Sequence, residues 1–251
     1  MNAVPDFKIA AAQVASVPGE IDRNIGVHAA AMTAASACGV SVLVFPELSL
    51  TGYELDRAAE LAMTPDDKRL KPLVDISRRR KMGAIVGAPL KNGSQKPKLG
   101  ALVISGQHPT RTYHKMHLGG DEPRLFSPGD EPLVWRTSGH TVGLAICADS
   151  SQPSHPEHYA ALGADVYAAS VFLTAEWYAA DASRLAAYAA RYRMLTVMAN
   201  HAASQGMYTS VGKSAVWGPE GALLAEARDT ENALLIASRT DGVWHGEIVG
   251  L

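Results

Sequence analysis

Residues 7–45 read FKIAAAQVASVPGEIDRNIGVHAAAMTAASACGVSVLVF: an apolar run, a polar break, a long segment with a periodic apolar face, and a second apolar run. The two ends, FKIAAAQV (7–14) and VSVLVF (40–45), are short and nearly free of polar residues, as in strands covered on both faces. Between them, residues 22–37 place Ile25, Ala29, Met32 and Ala35 near helical spacing. The stretch predicts a βαβ unit, and with it a sheet carrying helices on its face.

The pattern extends through the chain. Residues 66–81 form a second amphipathic segment that leads into GAIVGAP (83–89). The runs LGALVIS (99–105), TRTYHK (110–115), EPLVWRT (131–137) and HTVGLAIC (140–147) lie too close together for helices between them and predict hairpin-linked strands of a mixed sheet. Alternation then resumes with a short helix at 156–162, a strand at ADVYAAS (164–170), the longest helix at 175–193 and a strand at TVMAN (196–200). KSAVWG (213–218), GALLAEA (221–227) and ALLIASR (233–239) follow, the first two joined by a tight turn at Pro219-Glu220-Gly221. With no linker, repeat or low-complexity segment, residues 1–251 are read as one α/β domain.

Composition narrows the function classes. A formal charge of −2 with mixed signs throughout offers no footprint for nucleic acid or an anionic membrane, so the expected partner is a small molecule or another protein chain. Two cysteines cannot form a disulfide framework, MNAVPDFKIA lacks the basic and apolar segments of a signal peptide, and no apolar stretch reaches membrane-spanning length. A reducing cytoplasm is the expected compartment.

Three strand ends then carry unexpected side chains. VGLAICADSS (142–151) places Cys147 where an apolar run gives way to a loop, although a thiol used only for packing belongs deeper in the run. VSVLVFPELSLTGYE (40–54) ends its ladder at Pro46 and sets Glu47 just beyond, either in solvent or in a site that raises its pKa. TRTYHKMHLGGDEPRLFSPGDEP (110–132) puts Tyr113 and Lys115 on one face of a short strand and follows them with a loop holding Glu122. Taken singly, these are surface charges and a core thiol.

Taken together, FPELSLTGYE (45–54), YHKMHL (113–118), DEPRLFSPG (121–129) and GLAICAD (143–149) resemble the signature blocks of the carbon-nitrogen hydrolase (nitrilase-like) superfamily. AAQVASVPGEIDRNI (11–25) is similar to its opening strand and loop, and YTSVGKSAVWGPEGALLAEA (208–227) to its closing hairpin. The resemblance implies a four-layer α-β-β-α sandwich and a Glu-Lys-Cys triad. In it Glu47 takes the proton of the Cys147 thiol, and Lys115, with the backbone N–H of Ala148, stabilises the oxyanion. A thioester on Cys147 then yields to water activated by Glu47, while Glu122 positions Lys115 and the substrate. Tyr53, Ala148 and Asp149, from the same blocks, are expected to line the oxyanion and substrate region. No metal or organic cofactor is expected, since the lysine supplies the electrophilic charge. The implied reaction converts a small amide to a carboxylate and ammonia, in a homodimer or larger even homo-oligomer built through residues 156–162 and 175–193.

The chain also departs from the family pattern. Ala148 stands where an aromatic is common, and residues 151–154 hold no arginine of the kind that grips a substrate carboxylate, which leaves Arg124, Arg191 or Arg193 as substitutes in an N-carbamoyl hydrolase. The end at IVGL, without a long tail, favours an amidase-type member over a nitrile hydrolase. Other readings of the same residues are a cysteine-histidine hydrolase using His114, His117, His155, His158 or His201, a metal site around His155, His158 and Asp149, and a catalytically silent binding or scaffold protein.

Overall fold

β1 (Lys8–Gln13) and β2 (Val42–Val44) are parallel neighbours with Ile9 opposite Val42, and α1 (Ile21–Ala37) crosses between them. The computed structural model describes residues 7–203, 208–228 and 230–251, so residues 1–6, at the start of the segment read above for a leader, lie outside the described residues. Next come α2 (Ala58–Leu61), α3 (Lys71–Arg80), β3 (Gly83–Leu90), β4 (Lys98–Ile104), β5 (Arg111–His114) and α4 (Glu122–Leu125). The second half contributes β6 (Val134–Thr137), β7 (His140–Ile146), α5 (Ser154–Ala161), β8 (Val166–Ser170), α6 (Ala175–Tyr192) and β9 (Leu195–Ala199). It closes with β10 (Ala215–Trp217), β11 (Leu223–Glu226), β12 (Ala233–Thr240) and β13 (Val243–Gly250).

These strands form a seven-stranded sheet, β13-β12-β1-β2-β3-β4-β5, and a six-stranded sheet, β11-β10-β9-β8-β7-β6. Alternation along each strand decides which layer a side chain enters. Ile9, Val42 and Val44 of the first sheet share one apolar layer with Val142, Leu144, Ile146 and Val166 of the second. Their neighbours Ala10, Leu43 and Ala84 point the other way and pack under α1 and α3. Ala145, Tyr167 and Ala169 likewise pack under α5 and α6. Helix, sheet, sheet and helix are therefore stacked as a four-layer α-β-β-α sandwich.

Helix limits differ from the sequence reading where local chemistry intervenes. α3 starts at Lys71 because Pro72 occupies its first turn, while the residues before it form a 3₁₀ turn whose start, Asp67, accepts from the Arg69 N–H. β13 is the one described strand that the sequence reading omitted. It pairs antiparallel with β12 from Ala233 opposite Gly250 to Thr240 opposite Val243, through a turn in which Asp241 and Gly242 both have positive φ. No helix among the described residues is long and apolar enough to cross a membrane.

Candidate active site

Glu47, Lys115 and Cys147 follow the ends of β2, β5 and β7, so two come from the seven-stranded sheet and one from the other. The turn carrying Glu47 is tight, and Leu48 has φ of +51°. Gly87 on β3 makes room for it: a Cβ there would lie 2.4 Å from the Leu48 nitrogen and 2.5 Å from the Pro46 oxygen. Cys147 has φ of +43°, a left-handed conformation that costs a non-glycine residue about 1–2 kcal/mol and that recurs where a side chain must be presented at a bend. Ser150 holds this bend by donating to the Cys147 carbonyl at 2.8 Å.

Lys115 is buried, and its ammonium donates to Glu47 Oε1 and Glu122 Oε1, each at 2.7 Å. Glu122 is fully engaged, since Oε1 also accepts from the Tyr53 hydroxyl at 2.9 Å and Oε2 from the Gly119 N–H at 2.8 Å. Glu47 differs: its Oε2 is buried and has no hydrogen-bond partner among the described residues. Burial pushes the Glu47 carboxyl up to about 7, the Lys115 charge pulling it down in part and Glu122 opposing that pull. Burial works against the Lys115 ammonium, but the charges of Glu47, Cys147 and Glu122 outweigh it and raise its pKa. Burial and the Glu47 charge also raise the Cys147 thiol, so it rests protonated beside a carboxylate able to accept near neutral pH.

The structure gathers Tyr53 at this site through Glu122 and Lys115 through both carboxylates. Ala148, half-buried, faces Gly119, where an added Cβ would come within 3.4 Å of its methyl. Asp149 is placed elsewhere. Fully buried, it accepts from the N–H groups of Ile146 (3.0 Å), Met116 (3.0 Å) and His117 (2.8 Å) and from the Tyr113 hydroxyl (2.7 Å), which leaves its carboxylate turned into the protein.

Among the described residues the Cys147 thiol has the Phe172 carbonyl at 3.9 Å as its hydrogen-bond partner, not an imidazole. His201 is buried and neutral, its pKa lowered to about 4 by burial, and its Nε2–H donates to the Glu47 carbonyl at 2.7 Å. It buttresses the Glu47 turn. The ligand-type atoms of His117, Asp149 and His155 lie within 4.8 Å of one another. Both ring nitrogens of His155 are hydrogen-bonded to tyrosines, however, and the Asp149 oxygens already take four donors, so the lone pairs a metal needs are occupied. The arginines weighed for carboxylate binding are committed elsewhere: Arg124 is exposed and paired with Asp121, Arg193 pairs with Glu220, and Arg191 lies over the Tyr192 ring.

The family model described as carbon-nitrogen hydrolase matches residues 8–243. The chain belongs to the carbon-nitrogen hydrolase family. As such it is a hydrolase of amidase-like type, and its relatives span both amide and nitrile chemistry. It is 28% identical over 223 residues to a nitrilase of Pyrococcus abyssi, covering 87% of this chain and 84% of the relative. An (R)-stereoselective amidase of Pseudomonas sp. is 29% identical over 227 residues, covering 88% of this chain and 81% of its own. A solved mutant of the amidase from Nesterenkonia sp. AN1, with the acetamide moiety of fluoroacetamide added covalently at the active site cysteine, superposes with a TM-score of 0.84. It is 25% identical and covers 94% of this chain and 90% of its own.

This hydrolase also surrounds Tyr53 with two aromatic residues, Phe172 and Tyr208, that the sequence reading did not single out. Phe172 stacks on Tyr53 with centroids 4.9 Å apart, and Tyr208 meets both rings edge-on at 5.3 and 6.1 Å. Phe172 follows a strand end, as do Glu47, Lys115 and Cys147, and that position was its available signal.

Proposed function

We propose that the chain hydrolyses a small, uncharged amide to a carboxylate and ammonia through a thioester on Cys147. Glu47 Oε2 takes the thiol proton as sulfur attacks the carbonyl carbon, and the resulting oxyanion is stabilised by Lys115 and the Ala148 N–H. Collapse breaks the C–N bond, and the proton held by Glu47 passes to the leaving nitrogen. Water then attacks the thioester, Glu47 takes its proton, the carboxylate departs and the thiol is restored. Lys115 supplies the positive charge, so this sequence calls for no cofactor. The observation that carries the reading is the buried carboxylate of Glu47, one oxygen bound to Lys115 and the other free to accept a proton.

An amide is favoured over an N-carbamoyl amino acid because Arg124 and Arg193 are exposed and pair with Asp121 and Glu220, and Arg191 lies over the Tyr192 ring. The free thiols of Cys38 and Cys147 suit a reducing cytoplasm. Trp177 on α6 is 59% exposed and Leu162, at the end of α5, is 40% exposed, which supports pairing of two copies through these helices.

The test is ammonia release from a panel of aliphatic amides, ω-amides, carbamoyl amino acids and nitriles, with wild type and Cys147→Ala compared as folded proteins. Hydrolysis of a short neutral amide that vanishes in the variant is expected. Turnover persisting at a tenth of wild type in the variant excludes the covalent route.

A further inference from the structure

His155 occupies a built environment that neither a thiol partner nor a metal ligand requires. It is buried on α5 between two tyrosines, with Nδ1 2.8 Å from the Tyr167 hydroxyl and Nε2 2.9 Å from the Tyr113 hydroxyl. The Tyr113 hydroxyl in turn lies 2.7 Å from Asp149 Oδ2. Burial lowers the imidazole pKa to about 4, so the ring carries one proton.

The positions of the protons follow. The Asp149 carboxylate only accepts, so the Tyr113 hydroxyl proton goes to it and the phenolic oxygen is left as an acceptor. His155 therefore donates from Nε2 to Tyr113, and Nδ1 accepts from Tyr167. One arrangement satisfies every member of a chain that runs from β8 through α5 and β5 to the bend after β7.

Asp149 sits at the end of this chain and holds the amides of Met116 and Ile146, which adjoin Lys115 and Cys147. Lys115 and Cys147 belong to different sheets, so no strand pairing fixes their separation. The carboxylate of Asp149 bonds to both sides.

We propose that His155 is a positioning residue for the hydrolytic reaction: by holding the Tyr113 hydroxyl on Asp149 it sets the placement of Lys115 relative to Cys147 across the two sheets. The proposal rests on the reading of those two residues as the reacting groups. His155 touches neither, and its effect passes through Tyr113 and Asp149. Besides Tyr113, Tyr167 and Asp149, the titratable groups around it are Tyr159, His117, His158 and Asp130, which line with it a cavity of about 310 Å³.

The experiment compares wild type with H155F, H155Q, Y113F and the H155F/Y113F double variant, each first checked for folding by circular dichroism and thermal unfolding. Cys147 is alkylated with iodoacetamide and followed by mass spectrometry across pH, and amide hydrolysis is measured in parallel. Alkylation needs no knowledge of the substrate. A wild type that alkylates at Cys147 but hydrolyses no amide therefore defeats the proposed function while the alkylation comparison still decides the role of His155.

H155F keeps an aromatic ring, somewhat larger than the imidazole, and removes both polar atoms. It is expected to slow alkylation and kcat about tenfold each while KM stays within about twofold, the signature of misplaced reacting groups. The pH midpoint of alkylation is expected to rise, because Lys115 drawn away from Glu47 no longer pulls its pKa down. H155Q, which can accept at its oxygen and donate at its nitrogen, is expected to restore most of the rate, and the double variant to be no slower than Y113F. A folded H155F with alkylation and kcat within about twofold of wild type overturns the proposal, as does a loss confined to KM. Should H155F not fold, H155Q and Y113F decide: a folded Y113F with wild-type rates and an unshifted midpoint overturns it equally.

Discussion

Replacing Lys115 by methionine nearly preserves length and removes the charge that Glu47 and Glu122 share at 2.7 Å each. Two losses follow. An oxyanion deprived of one preorganised donor costs about 10²–10³ in kcat, about 2.7–4 kcal/mol. Glu47, already at about 7 with the ammonium beside it, climbs further without it and holds its proton at neutral pH, so it no longer serves as the base. Together these place the loss in kcat at a hundredfold or more.

Stability changes with a definite sign. Removing one partner of a buried ion pair costs about 3–5 kcal/mol when the remaining charge stays ionised. A carboxylate whose folded pKa is raised contributes stability fully below its unfolded value, near 4.5 for Glu47, and loses it as pH rises through the folded value. The deficit of Lys115→Met against wild type is therefore smallest near pH 5 and widens toward pH 8, with about 3–5 kcal/mol as its upper range. Urea unfolding at both pH values and ammonia release against substrate concentration measure the two effects. An unchanged kcat with a raised KM would show that Lys115 only binds substrate, and a deficit independent of pH would refute the account of the buried charges.

Wild-type kcat/KM is expected to fall as pH drops through about 7, because Glu47 must be ionised to accept the thiol proton. Glu47→Gln is expected to be inactive at every pH, and a nearly silent variant would return the assignment to a cysteine-histidine pair. Ala148→Trp is expected to penalise bulky amides more than the smallest accepted one, because the indole fills space beside Gly119 while the backbone N–H is retained. Equal losses in kcat/KM across an acyl size series would show that Ala148 does not line the acyl pocket.

The fold was legible where burial imposed a period. VSVLVF and HTVGLAIC read as strands because both faces are covered, and the βαβ opening fixed which elements neighbour one another. β13 escaped because its residues are mostly exposed and VWHGEIVG carries no clean alternation. The Asp241-Gly242 pair just before it is the hairpin signal that would have found it. Glu47 and Cys147 could be noticed because each stands at the end of an apolar run, and Lys115 because it shares one face of a short strand with Tyr113. Asp149 was expected among the substrate contacts because it belongs to the same family-like block as Cys147, but the bend at Cys147 turns the next side chains apart. Its direction is set by amides of a loop more than thirty residues away, a contact that no local pattern encodes. The links from His155 to Tyr113 and Tyr167 are hidden for the same reason.

Because Glu47 and Lys115 hang from one sheet and Cys147 from the other, the distances that govern proton transfer and attack are also distances between layers. In the proposed mechanism the shared apolar layer around Val44, Leu144 and Val166 is thus the spacer between the reacting groups. Hydrostatic pressure or dilute denaturant that loosens this layer would extinguish turnover while each sheet keeps its own hydrogen-bonded ladder. On the proposed mechanism, turnover is therefore expected to fall before the circular dichroism signal of the strands does.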